Sequence, residues 1–275
     1  MQKLKQAIKR FFPSLVYRYQ LSPRAKQDLL EKVKEMEELG DSPLPPWHDI
    51  FTDRGEDGII HFLLKYLEPV NPIFVDIGAG DCINGNCTTL VTHFNWRGLF
   101  LDSDPAQLAV GRNFYKQKIK MGAAINIVQE EVTPANINTI LEREGITGEI
   151  GLLSIDIDGN DYWIWKAIDK INPKLVVIEA KVEFGTRDVV VPYGPGNHHS
   201  RDKMYNGASV EALRKLGEQK GYDLVASNLF GYNLFFTRKE AGIPAIELRQ
   251  ILNVPHTRNS FYPDSFFTTH VFESI

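Results

Sequence analysis

Five short apolar runs alternate with amphipathic stretches between residues 73 and 178, and this rhythm limits what the chain can fold into. The runs are Ile73-Phe74-Val75, Leu99-Phe100-Leu101, Ile125-Asn126-Ile127-Val128, Leu152-Leu153-Ser154-Ile155 and Leu175-Val176-Val177-Ile178. Short apolar runs separated by helical patterns imply βαβ units and a mainly parallel sheet covered on both faces. The ending differs. Tyr222–Leu229 and Asn233–Arg238 are separated only by Phe230-Gly231-Tyr232, too short for a parallel crossover, so these two strands form an antiparallel hairpin. The expected fold is α/β: seven strands, mostly parallel, with an antiparallel last strand and helices on both faces.

Helices are expected over Glu56–Tyr66, Pro134–Arg143, Asp161–Ile168 and Ser209–Lys220, the last with a serine cap and a glycine stop at Gly221. Upstream, Ser22-Pro23 reads as a helix start, with Leu29, Leu30, Val33 and Met36 on one face and Gly40 as the stop. The proline-rich stretch from Ser42 to Trp47 reads as a linker. Residues 1–50 are therefore taken as an N-terminal helical extension, 51–240 as the main domain, and 241–275 as an aromatic tail that packs on the domain or on a second subunit.

At 43% hydrophobic residues and a net charge of −4, the chain is neither a disordered acidic polymer nor a globally basic nucleic-acid binder. The charge is uneven. Lys3, Lys5, Lys9, Arg10, Arg18, Arg24 and Lys26 all precede the first acid, Asp28. With Leu4, Ile8, Phe11 and Leu15 they form a basic amphipathic segment that either docks on the domain or a second copy, or touches an anionic membrane surface. No apolar run reaches the roughly 18–20 residues of a membrane span. The first residues lack the pattern of a secretory signal. Cys82 and Cys87 build neither a disulfide framework nor a zinc site, and read as small core residues in a cytoplasmic protein.

The first strand runs into Asp76-Ile77-Gly78-Ala79-Gly80-Asp81. Gly78 and Gly80 permit a tight turn and close approach of backbone to a ligand. The dinucleotide fingerprint needs a third glycine where Ile83 stands. Asp81 is expected at the start of the next helix, where an acid repels a pyrophosphate, and Asp76 at the strand end calls for a cationic or hydroxylated partner. Asp102 ends the second strand and suits two ribose hydroxyls, and Glu130 and Glu131 follow the third, where an adenine edge fits. A nucleoside joined to a cationic amino acid describes S-adenosylmethionine. Asn84 and Ser103, beside Asp81 and Asp102, complete this cofactor set together with Asp156.

These residues, with Leu153–Asp161 reading LSIDIDGND, resemble the FkbM-type group of class I S-adenosylmethionine-dependent methyltransferases, whose segment at this strand reads close to IKIDVEGAE. Asp156, Asp158, Gly159 and Asp161 match in position or charge, whereas Ser154 replaces the usual lysine. The resemblance covers residues 56–240. It implies a Rossmann-like seven-stranded sheet and O-methylation of a hydroxyl on a sugar or natural product.

A sugar hydroxyl is a weak acid, so its methylation calls for a general base or a divalent cation. Asp156, Asp158 and Glu179 offer oxygen ligands for magnesium or manganese, and similar metal-assisted enzymes of this fold place acids at the same strand ends. The long connection from Phe184 to Gly207 adds His198 and His199 as candidate general bases or metal ligands. Tyr193, Arg201 and Lys203 are candidate substrate contacts, the two cations suiting the diphosphate of a nucleotide-activated sugar. Two rivals remain. Asp156-Ile157-Asp158 is a D-x-D element of the kind that holds manganese in sugar-nucleotide transferases, and a methyltransferase-like sheet can also serve as a non-catalytic binding subunit.

Overall fold

A computed structural model describes residues 49–52, 54–67, 70–194 and 204–275. Residues 1–48 of the N-terminal extension, with its basic segment, its helix and the linker, lie outside these residues, as do His198, His199, Arg201 and Lys203.

The centre is a seven-stranded sheet in the order β3-β2-β1-β4-β5-β8-β7. Its strands are β1 (Ile73–Ile77), β2 (Arg97–Asp102), β3 (Ile125–Gln129), β4 (Gly148–Ile155), β5 (Ile171–Glu179), β7 (Tyr222–Ser227) and β8 (Asn233–Arg238). The first five pair in parallel, and β8 runs antiparallel between β5 and β7. The expected α/β sheet, with its reversed last strand, is what the chain forms. A short β6 (Val189–Val190) pairs instead with the C-terminal β9 (Glu273–Ser274).

Period-two alternation divides the strand residues between two cores. On one face Val75, Ile77, Leu101, Leu153, Ile155, Val176 and Ile178 meet Ile137, Ile140, Trp165, Leu213 and Leu216. These belong to helices α4 (Ile137–Arg143), α5 (Asp161–Ala167) and α6 (Val210–Gln219). On the other face Phe74, Phe100, Leu152, Leu175 and Val177 meet Ile60, Leu63, Leu90, Leu108 and Tyr115, carried by α1 (Glu56–Tyr66), α2 (Thr88–Thr92) and α3 (Pro105–Lys120). Burying each large side chain contributes roughly 1.5–3 kcal/mol, so both faces hold the sheet flat against its helices.

Local signals explain most boundaries. Ser209 caps α6 as expected, its hydroxyl accepting from the Ala212 N–H at 3.1 Å. The helix expected from Pro134 starts instead at Ile137. Thr133 and Asn136 bond each other's backbone and hold the three residues before it as a turn. The strand expected to reach Leu229 ends at Ser227, because Asn228 and Leu229 turn into the hairpin. Ile50 and Phe51 are buried in the second core, tied there by N–H bonds to the Asp57 carboxylate at 2.8 and 2.7 Å.

The tail carries three short helices, α7 (Leu248–Leu252), α8 (Pro255–Ser260) and α9 (Asp264–Thr269), and packs on the domain. Phe266 joins Phe184 and Val191 in a small third core flanked by Tyr262, Phe267 and Phe272. No helix among the described residues is long and apolar enough to cross a membrane. Both cysteines are buried and unbridged.

Candidate functional site

The parallel strands end on one side of the sheet, and a cleft of about 470 Å³ opens there, the usual ligand position in open α/β sheets. Over β1–β3 its walls include Gly78, Gly80, Leu101, Asp102, Ser103, Gln107, Glu130, Glu131, Val132 and Thr133. Over β4 and β5 they are Asp156, Ile157, Asp158, Asn160, Glu179 and Tyr193.

The glycine turn is fixed from both sides. The Gly78 and Ala79 N–H groups donate to the Leu101 carbonyl at 2.9 and 3.0 Å. Gly78 has φ +83°, and a Cβ there would lie 1.7 Å from the Asp156 carbonyl oxygen, so the turn lies directly against the end of β4. Gly80 N–H donates to Asp102 Oδ2 and Asp104 N–H to Asp102 Oδ1, both at 2.8 Å. Each oxygen keeps a second acceptor direction, so the backbone orients the carboxylate before any ligand arrives.

Three expected cofactor residues sit elsewhere. Asp76 is buried and does not line the cleft; its call for a hydroxylated partner is met within the chain by Ser154 and Cys87. The serine that stands in place of the resembling family's lysine is therefore the group that holds Asp76. Burial, opposed by these two bonds, pushes Asp76 up to about 6. Asp81 does not start a helix, since α2 begins only at Thr88. Its carboxylate instead closes a turn, accepting from the Ile83 and Asn84 backbones at 2.9 Å each and from Asn84 Nδ2 at 2.7 Å. Asp81 and Asn84 thus bond each other, away from the cleft walls. Glu130 lines the cleft and pairs with Arg143 at 2.7 Å.

Across the cleft, Asp156, Asp161 and Glu179 bring carboxylate oxygens within 4.8 Å of one another. Asp161 takes the place in this cluster that the sequence assigned to Asp158. Asp158 has φ +56° and Gly159 φ +140°, which turns the chain back on itself. Asp161 then accepts from the Ile157 and Gly159 N–H groups at 2.9 Å each, and its carboxylate is returned to the end of β4.

Burial, and after it the neighbouring charges, raises all three acids. Asp156, although its side chain opens on the cleft, is pushed up to about 8 by burial, then by Asp161, Asp158 and Asp76, against Arg54. Asp161 rises to about 6 through burial, opposed by its backbone donors. Glu179 is pushed well above the usual carboxylate range by burial and by Asp156. Acids raised in the folded state stabilise it below their unfolded value near 3.8, and that contribution is lost as the pH climbs through 6 and 8. The melting temperature should therefore fall between pH 5 and pH 9, and Asp156→Asn should flatten the upper part of the fall. A melting temperature that rises across this range would contradict the cluster. His61, lowered to about 4 by burial, acts oppositely. Its contribution is present above 6.5 and is lost as the pH falls toward 4, so it trims the gain only on the acid side.

The long connection is stitched to this acidic loop at both stems. Trp163 Nε1 donates to the Val191 carbonyl at 2.9 Å and Asn160 Nδ2 to the Gly194 carbonyl at 3.1 Å. From the other stem, Asn206 Nδ2 donates to the Asp158 carbonyl at 3.2 Å and Gly207 N–H to the Gly159 carbonyl at 3.2 Å. Tyr193 is thereby placed in the cleft wall.

Sequence reasoning missed Leu101, Asp104, Gln107, Val132, Thr133, Ile157 and Asn160 as lining residues. Asp104 carried a signal: an Asp before Pro105 marks a helix start, and its Oδ1 accepts from the Ala106 N–H at 2.7 Å.

No protein-family model matches the chain, and no curated protein sequence matches it. Solved structures with a similar course of chain include an S-adenosylmethionine-dependent methyltransferase from Clostridium acetobutylicum, at 11% identity and TM-score 0.42, over 66% of this chain and 90% of that one. An O-methyltransferase family protein from Burkholderia thailandensis is similar at 11% identity and TM-score 0.45, over 82% and 75%. A magnesium protoporphyrin IX methyltransferase from Synechocystis with bound S-adenosylmethionine is similar at 9% identity and TM-score 0.40, over 85% and 90%.

Proposed function

We propose that this chain is an S-adenosylmethionine-dependent methyltransferase that acts on a hydroxyl of a sugar or glycoconjugate precursor. One observation carries the reading: the charge of the cleft. Its described walls hold seven acids (Asp102, Asp104, Glu130, Glu131, Asp156, Asp158 and Glu179) and no lysine, arginine or histidine. With Glu130 paired to Arg143, and with Asp156 and Glu179 raised and facing Arg54 and Lys181, acids still outnumber the cations around it. A diphosphate would enter that field against repulsion, whereas a sulfonium nucleoside enters it with attraction. The same field weighs against the D-x-D sugar-nucleotide reading of Asp156 and Asp158.

Bound there, S-adenosylmethionine supplies a methyl group already activated on a sulfonium. Asp102, pre-oriented by the Gly80 and Asp104 N–H groups, binds the ribose hydroxyls. Leu101 and Val132 give the base an apolar seat, with Glu130 and Glu131 at its edge. Asp156, raised toward neutrality, takes the acceptor's hydroxyl proton as the oxygen forms its new bond to carbon and the carbon–sulfur electron pair stays with sulfur. Asp156 and Glu179, backed by Asp161, also fit a divalent cation of hard-oxygen preference, which when bound would stabilise the acceptor's alkoxide.

Calorimetric titration tests the reading. S-adenosylhomocysteine should bind with micromolar affinity and NAD should not. Asp102→Ala should weaken the first about 100-fold, through loss of two charge-assisted bonds of roughly 1.5 kcal/mol or more each. Binding of NAD, or of neither compound to folded protein, would overturn it.

A further inference from the structure

The half of the cleft over β4 and β5 offers hydrogen-bond acceptors almost throughout. Asp156, Asp158 and Glu179 line it with carboxylates, and Tyr193 adds a hydroxyl. A second, uncharged group points the same way. Asn160 lines this half and is only 7% exposed. Its Nδ2 meets the Gly194 carbonyl, and since only the NH₂ end of an amide can donate to a carbonyl, the orientation of the group is settled. Its Oδ1 is buried and has no partner. Native interiors rarely leave such an oxygen without a donor. Arg54 faces Asp156 and Lys181 faces Glu179. With Asp158 and Asp161 also present, acids remain in excess.

We infer that this half of the cleft takes a protonated primary amine carried beside the methylated hydroxyl, as in an unacetylated amino sugar, with Asn160 Oδ1 and the neighbouring carboxylates receiving its N–H groups. The inference rests on the methyltransferase reading of the other half and names its acceptor class. It differs from the anionic handle that Arg201 and Lys203 brought to mind in the sequence. An ammonium supplies several donors and a positive charge at once, which the unpartnered amide oxygen and the crowded acids both require. The same acids keep the amine protonated, and a nitrogen whose lone pair is held in an N–H bond does not attack a methyl group. The amine is thus the handle, and the adjacent oxygen is the nucleophile.

The test uses the full chain in the presence of a metal chelator, saturated with S-adenosylhomocysteine. Glucosamine, N-acetylglucosamine and glucose are titrated by ligand-observed NMR. Glucosamine should bind about tenfold or more tightly than the other two, since the acetylated amide loses the charge and all but one donor. Asn160→Leu should erase most of that preference, and Asn160→Asp should retain or increase it. If the leucine variant fails to fold, the ligand series on the unaltered protein and the aspartate variant still decide. Equal binding of the three sugars by protein that binds S-adenosylhomocysteine would overturn this inference alone. Failure to bind S-adenosylhomocysteine would overturn the methyltransferase reading, and this inference with it.

Discussion

Gly78→Ala is expected to abolish cofactor binding and to cost roughly 3 kcal/mol or more in stability. Two penalties coincide at this position. Its φ of +83° is one that a side chain strains, and the added carbon would meet the Asp156 carbonyl oxygen at 1.7 Å, its carbon at 2.6 Å and Ile157 Cγ2 at 2.9 Å. The first two are backbone atoms. Asp156 N–H donates to the Ile77 carbonyl at 2.9 Å, so relief requires parting β1 from β4 where both enter the cleft. Gly80 is the internal control. It also has a positive φ, +52°, yet nothing lies within 4 Å of its notional Cβ. Gly80→Ala should therefore cost only about 1 kcal/mol and retain binding. Urea melts and S-adenosylhomocysteine titrations of both variants measure this. Equal behaviour of the two would show that the close approach of the glycine turn to β4 is not what shapes the site.

Asp156→Asn should lower turnover by about 10²–10⁴-fold, the usual worth of a positioned general base, while the affinity for S-adenosylhomocysteine changes far less. The pH dependence carries the signature. A base raised to about 8 must lose its proton to act, so turnover should climb as the pH rises toward 8 and level above it. The asparagine variant should show no such limb. Exhaustive chelation of the unaltered protein separates the two roles of this carboxylate. Full activity without divalent ions assigns it as the base alone, and loss restored by magnesium or manganese assigns it to a metal as well. An asparagine variant with undiminished turnover would remove Asp156 from the chemistry.

The sheet was legible because its strands are apolar on both faces and its helices on one, so periodicity alone separated them. The hairpin followed from three residues that cannot span a crossover. What escaped was set by contacts distant in the chain. The pairing of β6 with β9 joins Val189 to Ser274, and neither dipeptide strand has a period to read. The tail helices are five or six residues long, too short for a stripe to be read. In the site, strand ends announced Asp102, Asp156 and Glu179, because an acid closing an apolar run is conspicuous. Asp161 entered the carboxylate cluster in place of Asp158 through two positive-φ residues, one of them a non-glycine whose backbone angle no side-chain pattern reveals. Asp76 looked like a ligand contact because nothing in the sequence shows Ser154 reaching it from the adjacent strand, where the two residues stand in register.

The four hydrogen bonds that sew the acidic loop to the stems of the long connection separate two design problems. Val191, Gly194, Asn206 and Gly207, on the stems of that connection, are held by these anchors at the acidic loop and the helix that follows it. With the stems fixed in this way, an exchange of the sequence between them should leave the acidic loop in place, as a cassette leaves its frame.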